Sequence, residues 1–219
     1  MTSKEHPFGP ISETLRKAAA TLREAGIPFL LGGSLAFWAR GGKETVNDLD
    51  LMVKPEDAEA ALDALAAAGM RTERPPEDWL FKAWDGDVLV DLIFAPSGIE
   101  ITEGVITRGE ELEVAAVRMR VMPLEDALLT KLFALGEHDL DYEPLLQTAR
   151  SVREQVDWRS LRVRARANPY AEAFFTLLEG LGVVEPGATR PPDVDVHTLD
   201  RGDGVSDRPT IGPPPHAIR

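Results

Sequence analysis

Three features of the 219-residue sequence predict an α/β (α+β) fold: a small mixed sheet flanked by helices, with a C-terminal helical subdomain. Helix-like and strand-like hydrophobic patterns alternate over residues 1–122, helical patterns alone fill 123–184, and 185–219 lose apolar periodicity altogether.

Within 1–122, Ser12 is placed to cap a helix running to Ala25 and stopped by Gly26. Pro28 to Leu31 reads as a buried strand, Gly33 to Arg40 as a helix and Leu49 to Val53 as a second strand. Pro55 opens an alanine-rich helix whose Ala58, Ala61, Leu62 and Leu65 form one stripe, closed by Gly69. Short strands are expected at Met70 to Glu73 and Leu80 to Trp84. An Asp85-Gly86-Asp87 turn then leads to a strand over Val88 to Phe94, and further strands fall at Glu111 to Ala115 and Arg118 to Met122.

Pro123 starts the helical part, with Glu125 and Asp126 in the first turn, where acids favour the positive end of the helix dipole. Helices are predicted over Leu124 to Gly136, Leu140 to Gln155, Trp158 to Ala167 and Pro169 to Leu181. The segment 185–219 holds seven Pro and four Gly but no Phe, Tyr or Trp, too little apolar area to offset the entropy of ordering, so a disordered tail is expected there.

Composition narrows the chemistry. The sequence has no Cys, which excludes thiol catalysis, thiolate metal sites and disulfide staples, and its four His are too scattered for a zinc cluster. MTSKEHPFGP has no apolar signal core, and the longest charge-free run, Ala25 to Ala39, is interrupted by Pro28 and Gly32-Gly33, so a soluble, cytoplasmic protein with no membrane partner is expected. A net charge of -13 argues against a whole-surface grip on nucleic acid. Locally, however, Arg150, Arg153, Arg159, Arg162, Arg164 and Arg166 face only Glu154 and Asp157, so that stretch is either an RNA-binding surface or a solvated face paired with those acids.

The chemistry concentrates in Leu30-Leu31-Gly32-Gly33-Ser34, then Asp48-Leu49-Asp50-Leu51, then Val90-Asp91-Leu92. Residues i and i+2 of a strand share a face, so Asp48 and Asp50 project together while Leu49 and Leu51 point to the core. A hard divalent cation relieves the repulsion of such a pair, and Mg²⁺ suits one or two carboxylates completed by phosphates and water. Asp91 lies in an otherwise apolar strand, where an acid is costly unless it has a ligand. Gly32-Gly33-Ser34 falls at a strand-to-helix junction, where bare backbone N–H groups and the Ser34 hydroxyl can approach a phosphate. A tight turn or an Asp-x-Asp in a loop would each be unremarkable alone, but together with Asp91 they point to a site.

On these residues the chain resembles the nucleotidyltransferase superfamily of the polymerase-beta type, over roughly residues 12–150. The resemblance implies a nucleotidyltransferase fold over 1–122, two Mg²⁺, an NTP held at Gly32, Gly33 and Ser34, and transfer of its NMP group to an acceptor hydroxyl. Asp48 and Asp50 would be metal ligands, and Asp91 would hold the second metal and help deprotonate the acceptor. Leu124 to Asp141 further resembles the helix-turn-helix signature of AbiEii-like bacterial nucleotidyltransferases, some of them toxins with cognate antitoxins. There a Lys at the position of Lys131 is a catalytic and nucleotide-binding residue, with an acid in the next helix, here Asp139 or Asp141. From its own surroundings, Lys131 either snorkels to water or meets an anion, and either Asp can instead cap a helix.

Gly32 to Asp50 also resembles lincosamide nucleotidyltransferases, which modify a small drug. The acceptor is therefore left open among RNA such as tRNA, a protein, and a lincosamide- or aminoglycoside-like molecule. A non-catalytic nucleotide-binding regulator is the competing class, although three costly acids weigh against it. Trp38, Trp79, Trp84 and Phe81 are candidates for a base or acceptor pocket or for plain core.

Overall fold

The computed structural model describes residues 8–42, 48–136 and 140–190. Its seven strands are β1 (Phe29–Leu31), β2 (Leu49–Val53), β3 (Arg71–Glu73), β4 (Leu80–Asp85), β5 (Val88–Ile93), β6 (Glu110–Val114) and β7 (Val117–Val121). They form one mixed sheet in the order β3-β4-β5-β2-β1-β7-β6. The parallel pairs are β2–β5 and β1–β7, and β1–β2 and the outer hairpins are antiparallel. The α/β class and all seven strand positions thus match the sequence reading to within a residue or two.

Period-two alternation decides which face is core. Leu49, Leu51, Val53, Val90, Leu92 and Ala83 are fully buried, and α1 (Phe8–Glu24) and α3 (Ala58–Ala67) pack over that face. Thr14 and Lys17 of α1 reach Asp85 at the β4–β5 turn, at 3.2 and 2.6 Å. α1 begins at Phe8 rather than at Ser12, because Pro10 is tolerated in a first helical turn. A 3-10 turn over Pro55–Asp57 leads into α3, and α2 (Gly33–Trp38) follows β1 directly.

One element escaped the sequence reading. α4 (Glu103–Thr107) is five residues long, too short for a periodic pattern, and is capped by Thr102 Oγ1 accepting from Val105 N–H at 3.3 Å. The β6–β7 turn also lacks a glycine signal, since Ala115 and Ala116 both take positive φ, 51° and 61°.

Four helices follow: α5 (Leu124–Ala134), α6 (Glu143–Val152), α7 (Trp158–Ala165) and α8 (Pro169–Gly180). Asn168 caps α8 through Tyr170 N–H and Ala171 N–H, while its amide donates to the Leu132 carbonyl of α5 at 3.2 Å. Asp126 of α5 is 1% exposed and accepts from Arg108 at 2.8 Å and from Arg164 of α7 at 2.5 Å. These bonds tie α5, α7 and the end of α4 together.

Two expectations need correction. Residues 185–190 do not begin a disordered tail: Thr189 is fully buried, donates to Glu179 Oε1 at 2.5 Å and accepts from Arg162 at 2.7 Å. The rest of that expected tail, 191–219, lies outside the described residues. The arginine stretch is not one free surface either. Arg162 binds Glu172 at 2.7 Å and Arg164 is spent on Asp126, while Asp157, expected to pair with an arginine, caps α7 through Ser160 N–H at 3.1 Å. Arg153 does pair with Glu154, at 3.0 Å.

Candidate active site

β1 ends in Leu31 and hands the chain to Gly32, whose N–H donates to the Asp50 carbonyl at 2.8 Å. This bond extends the β1–β2 ladder by one residue and brings the turn against the first half of β2. Gly33 opens α2 with φ +53°, and a Cβ there would sit on the Asp50 carboxylate. Glycine is thus required twice, for the backbone angle and for the space the acid occupies. A Cβ on Gly32 would instead collide with the Met52 side chain. Ser34 is the second residue of α2 and half-buried.

Asp50 and Asp91 are direct partners across the parallel β2–β5 pair, so their side chains leave the same face side by side. Asp48 precedes β2 by one residue and falls on that face by the same alternation. Asp91 is 9% exposed, and its Oδ1 is buried with no hydrogen-bond partner. An orphaned buried carboxylate oxygen carries a desolvation cost that a ligand would relieve.

The electrostatics report the same crowding. Burial pushes the Asp50 carboxyl from 3.8 up to about 7; Asp91 adds repulsion, Lys131 opposes the rise and Asp48 reinforces it. Burial likewise raises Asp91 to about 6, with Lys82 opposing and Asp48 reinforcing. Lys131 of α5 therefore acts on Asp50, and its Nζ lies 6.0 Å from the Phe37 ring of α2. The structure brings Asp48, Asp50, Asp91, Lys131 and the Gly32–Ser34 turn to one place. Asp141 is used otherwise, capping α6 by accepting from Glu143 N–H at 3.1 Å, and Asp139 lies outside the described residues.

Lys82 was not singled out from sequence. It is the antiparallel partner of Asp91, so Lys82, Asp91 and Asp50 form a row across β4, β5 and β2. The signal was present: an Asp85-Gly86-Asp87 turn pairing Asp85 with Val88 sets the register that pairs Lys82 with Asp91. Trp84, two residues on, shares the Lys82 face and lies under the Arg71 guanidinium, 3.8 Å from its ring centre. Phe81 points to the other face and packs on Phe94 at 4.8 Å, and Trp79 is 40% exposed.

Chemically, the acids form a cluster of hard oxygen donors with a cation on either side. Among the described residues, no three His, Asp or Glu side chains already converge as a metal cage. Such a set suits a cation that takes part of its coordination from substrate phosphates and water.

Residues 11–180 match the family described as "Uncharacterised nucleotidyltransferase". No curated protein matches the chain. Among solved structures, ANT(2")-Ia in complex with adenylyl-2"-tobramycin superposes with a TM-score of 0.58 at 20% identity, covering 74% of this chain and 98% of that one. A solution structure of the antibiotic-resistance factor ANT(2")-Ia gives 0.58 at 19% identity, covering 78% and 95%. At these identities the likeness is one of fold. No helix among the described residues is long and apolar enough to cross a membrane.

Proposed function

The chain belongs to that nucleotidyltransferase family, and from this premise we propose that it moves the NMP group of an NTP to the hydroxyl of a small-molecule acceptor in a Mg²⁺-dependent reaction. The observation that carries the reading is the side-by-side placement of Asp50 and Asp91, with Asp50 raised by burial and by repulsion from Asp91, Asp91 raised by burial and by Asp48, and one Asp91 oxygen lacking any partner. A carboxylate pair held this way is destabilised until a cation binds it.

Asp48, Asp50 and Asp91 would hold Mg²⁺, two ions in the fullest form of the site. Bound there, Mg²⁺ neutralises phosphate charge and stabilises the attacking and leaving oxygens. The chain's own groups do the rest. Backbone N–H groups and the Ser34 hydroxyl at the Gly32–Ser34 turn receive the triphosphate, and Lys131, near enough to lower the Asp50 pKa, supplies a point charge to it. Asp91, with a carboxyl poised near neutrality, orients the acceptor hydroxyl and takes its proton. Lys82 on its far side keeps that carboxylate available.

A small-molecule acceptor is favoured over RNA by two observations. Arg162 and Arg164, a third of the expected basic stretch, are committed to Glu172 and Asp126. ANT(2")-Ia, similar in fold over most of both chains, has been captured with adenylyl-2"-tobramycin. The AbiEii-like reading, with its toxin role and cognate antitoxin, rests on residues 124–141 alone, and 137–139 of these lie outside the described residues.

Each α-labelled NTP, with Mg²⁺, should be incubated separately with an aminoglycoside and lincosamide panel, total RNA and a protein lysate. Label is expected in a small molecule. Label in RNA or in a protein band would overturn the choice of acceptor.

A further inference from the structure

Away from the acids lies a cavity of about 490 Å³, bounded by the end of α1, the start of β1, the β6–β7 hairpin and α4. It sits at the opposite end of β1 from Gly32, and none of the site residues named above lines it. Its apolar floor is buried Ile27, Phe29, Ile106 and Met119. Its volume is in the range of small-ligand sites.

Three arginines also line the cavity: Arg23, Arg118 and Arg120. Two are held by neutral groups that fix them without cancelling their charge. Arg23 donates to the Arg118 carbonyl and lies 5.9 Å from the Phe29 ring centre, and Arg120 donates to the carbonyls of Ile106 at 3.3 Å and Thr107 at 2.5 Å. Among the described residues, the Arg118 side chain has no hydrogen-bond or ion-pair partner. The rim also carries Glu103 and Glu111. Glu103 lies 3.7 Å from Lys54, Glu111 stands across the ladder from Arg120, and Glu113, outside the lining, stands across from Arg118 without an ion pair to it. The cavity is therefore locally cationic in a chain of net charge -13. A cavity lined by apolar side chains and by a fork-shaped cation without an ion pair suits a ligand that joins a compact apolar body to a phosphate.

We propose that this cavity is a second binding site, separate from the candidate active site, for a small organic phosphate whose apolar body rests on Phe29 and Met119 and whose phosphate meets Arg118. The proposal does not depend on the catalytic reading.

Calorimetric titration of the full chain with phenyl phosphate, inorganic phosphate and phenol tests it. Phenyl phosphate should bind saturably and more tightly than inorganic phosphate, and phenol should not bind. Arg118→Gln, which places no like charge across the ladder from Glu113, should weaken phenyl phosphate binding by at least about tenfold, with a nearly unchanged melting temperature. Asp50→Asn and Lys131→Ala should leave binding as in the wild type, which separates this cavity from phosphate capture near the acids. The proposal is overturned by no saturable binding up to about 10 mM, by wild-type affinity in Arg118→Gln, or by loss of binding in Lys131→Ala.

Discussion

Lys82 stands directly across the β4–β5 ladder from Asp91, on the side opposite Asp50. Asp91 is thus bracketed on the sheet by a cation and by an acid. Lys82 lowers the Asp91 pKa against the burial that raises it. Replacing it with Met should leave more of the Asp91 carboxyl protonated at neutral pH. We expect Lys82→Met to move the acid limb of the kcat–pH profile to higher pH and, for a shift of about one pKa unit, to reduce kcat about twofold at pH 7 and by up to about tenfold in acid, with little change in the KM for NTP, and Lys82→Arg to recover part of the loss. Steady-state kinetics check this, and an unchanged kcat would make Lys82 a bystander.

The raised acids also set how stability depends on pH. Asp50 titrates at about 7 and Asp91 at about 6 in the folded chain, against 3.8 as the ordinary value for both. Between those values the folded state holds more protons than the unfolded state, so unfolding free energy falls as pH rises through that window. Urea denaturation without metal should therefore show a more stable protein at pH 5 than at pH 8. Added Mg²⁺ should restore stability at pH 8 by binding the folded form, and Asp50→Asn should flatten the pH dependence.

The buried carboxylate of Asp126 tests the links between helices. With 1% exposure and two arginine partners, it is fully desolvated and compensated twice over. Removing both partners in an Arg108→Ala, Arg164→Ala double variant should cost about 3 kcal/mol or more. Either single variant should cost less because one guanidinium remains. Equilibrium urea unfolding measures all three, and a double variant as stable as the wild type would refute the assignment.

Much of the sheet was legible because its strands alternate apolar and polar residues or run apolar save for one acid, as Leu49–Val53 and Val88–Ile93 do. Asp50 and Asp91 stood out for a related reason, since each is an acid between residues that demand burial, and Asp48 stood out by its Asp-x-Asp spacing from Asp50. Lys82 did not, because a lysine at a half-exposed strand position is ordinary until the hairpin register places it beside Asp91. The Arg164–Asp126 pair was hidden for a deeper reason. Its partners are 38 residues apart on different helices, and only packing brings them together. Thr189 was misread because local composition at the start of the Pro- and Gly-rich segment says nothing of the Glu179 and Arg162 side chains that hold it.

The central claim is that Asp48, Asp50 and Asp91 form a single nucleotidyl-transfer site with Lys131. It is tested most directly by Mg²⁺-dependent pyrophosphate release from α-labelled NTP, in the presence of the acceptor panel, by wild type, Asp50→Asn and Asp91→Asn. The wild type should release pyrophosphate in step with label appearing on an acceptor, and both variants should fall to background while their circular dichroism stays that of the wild type. Undiminished release and transfer by either folded variant would contradict the account.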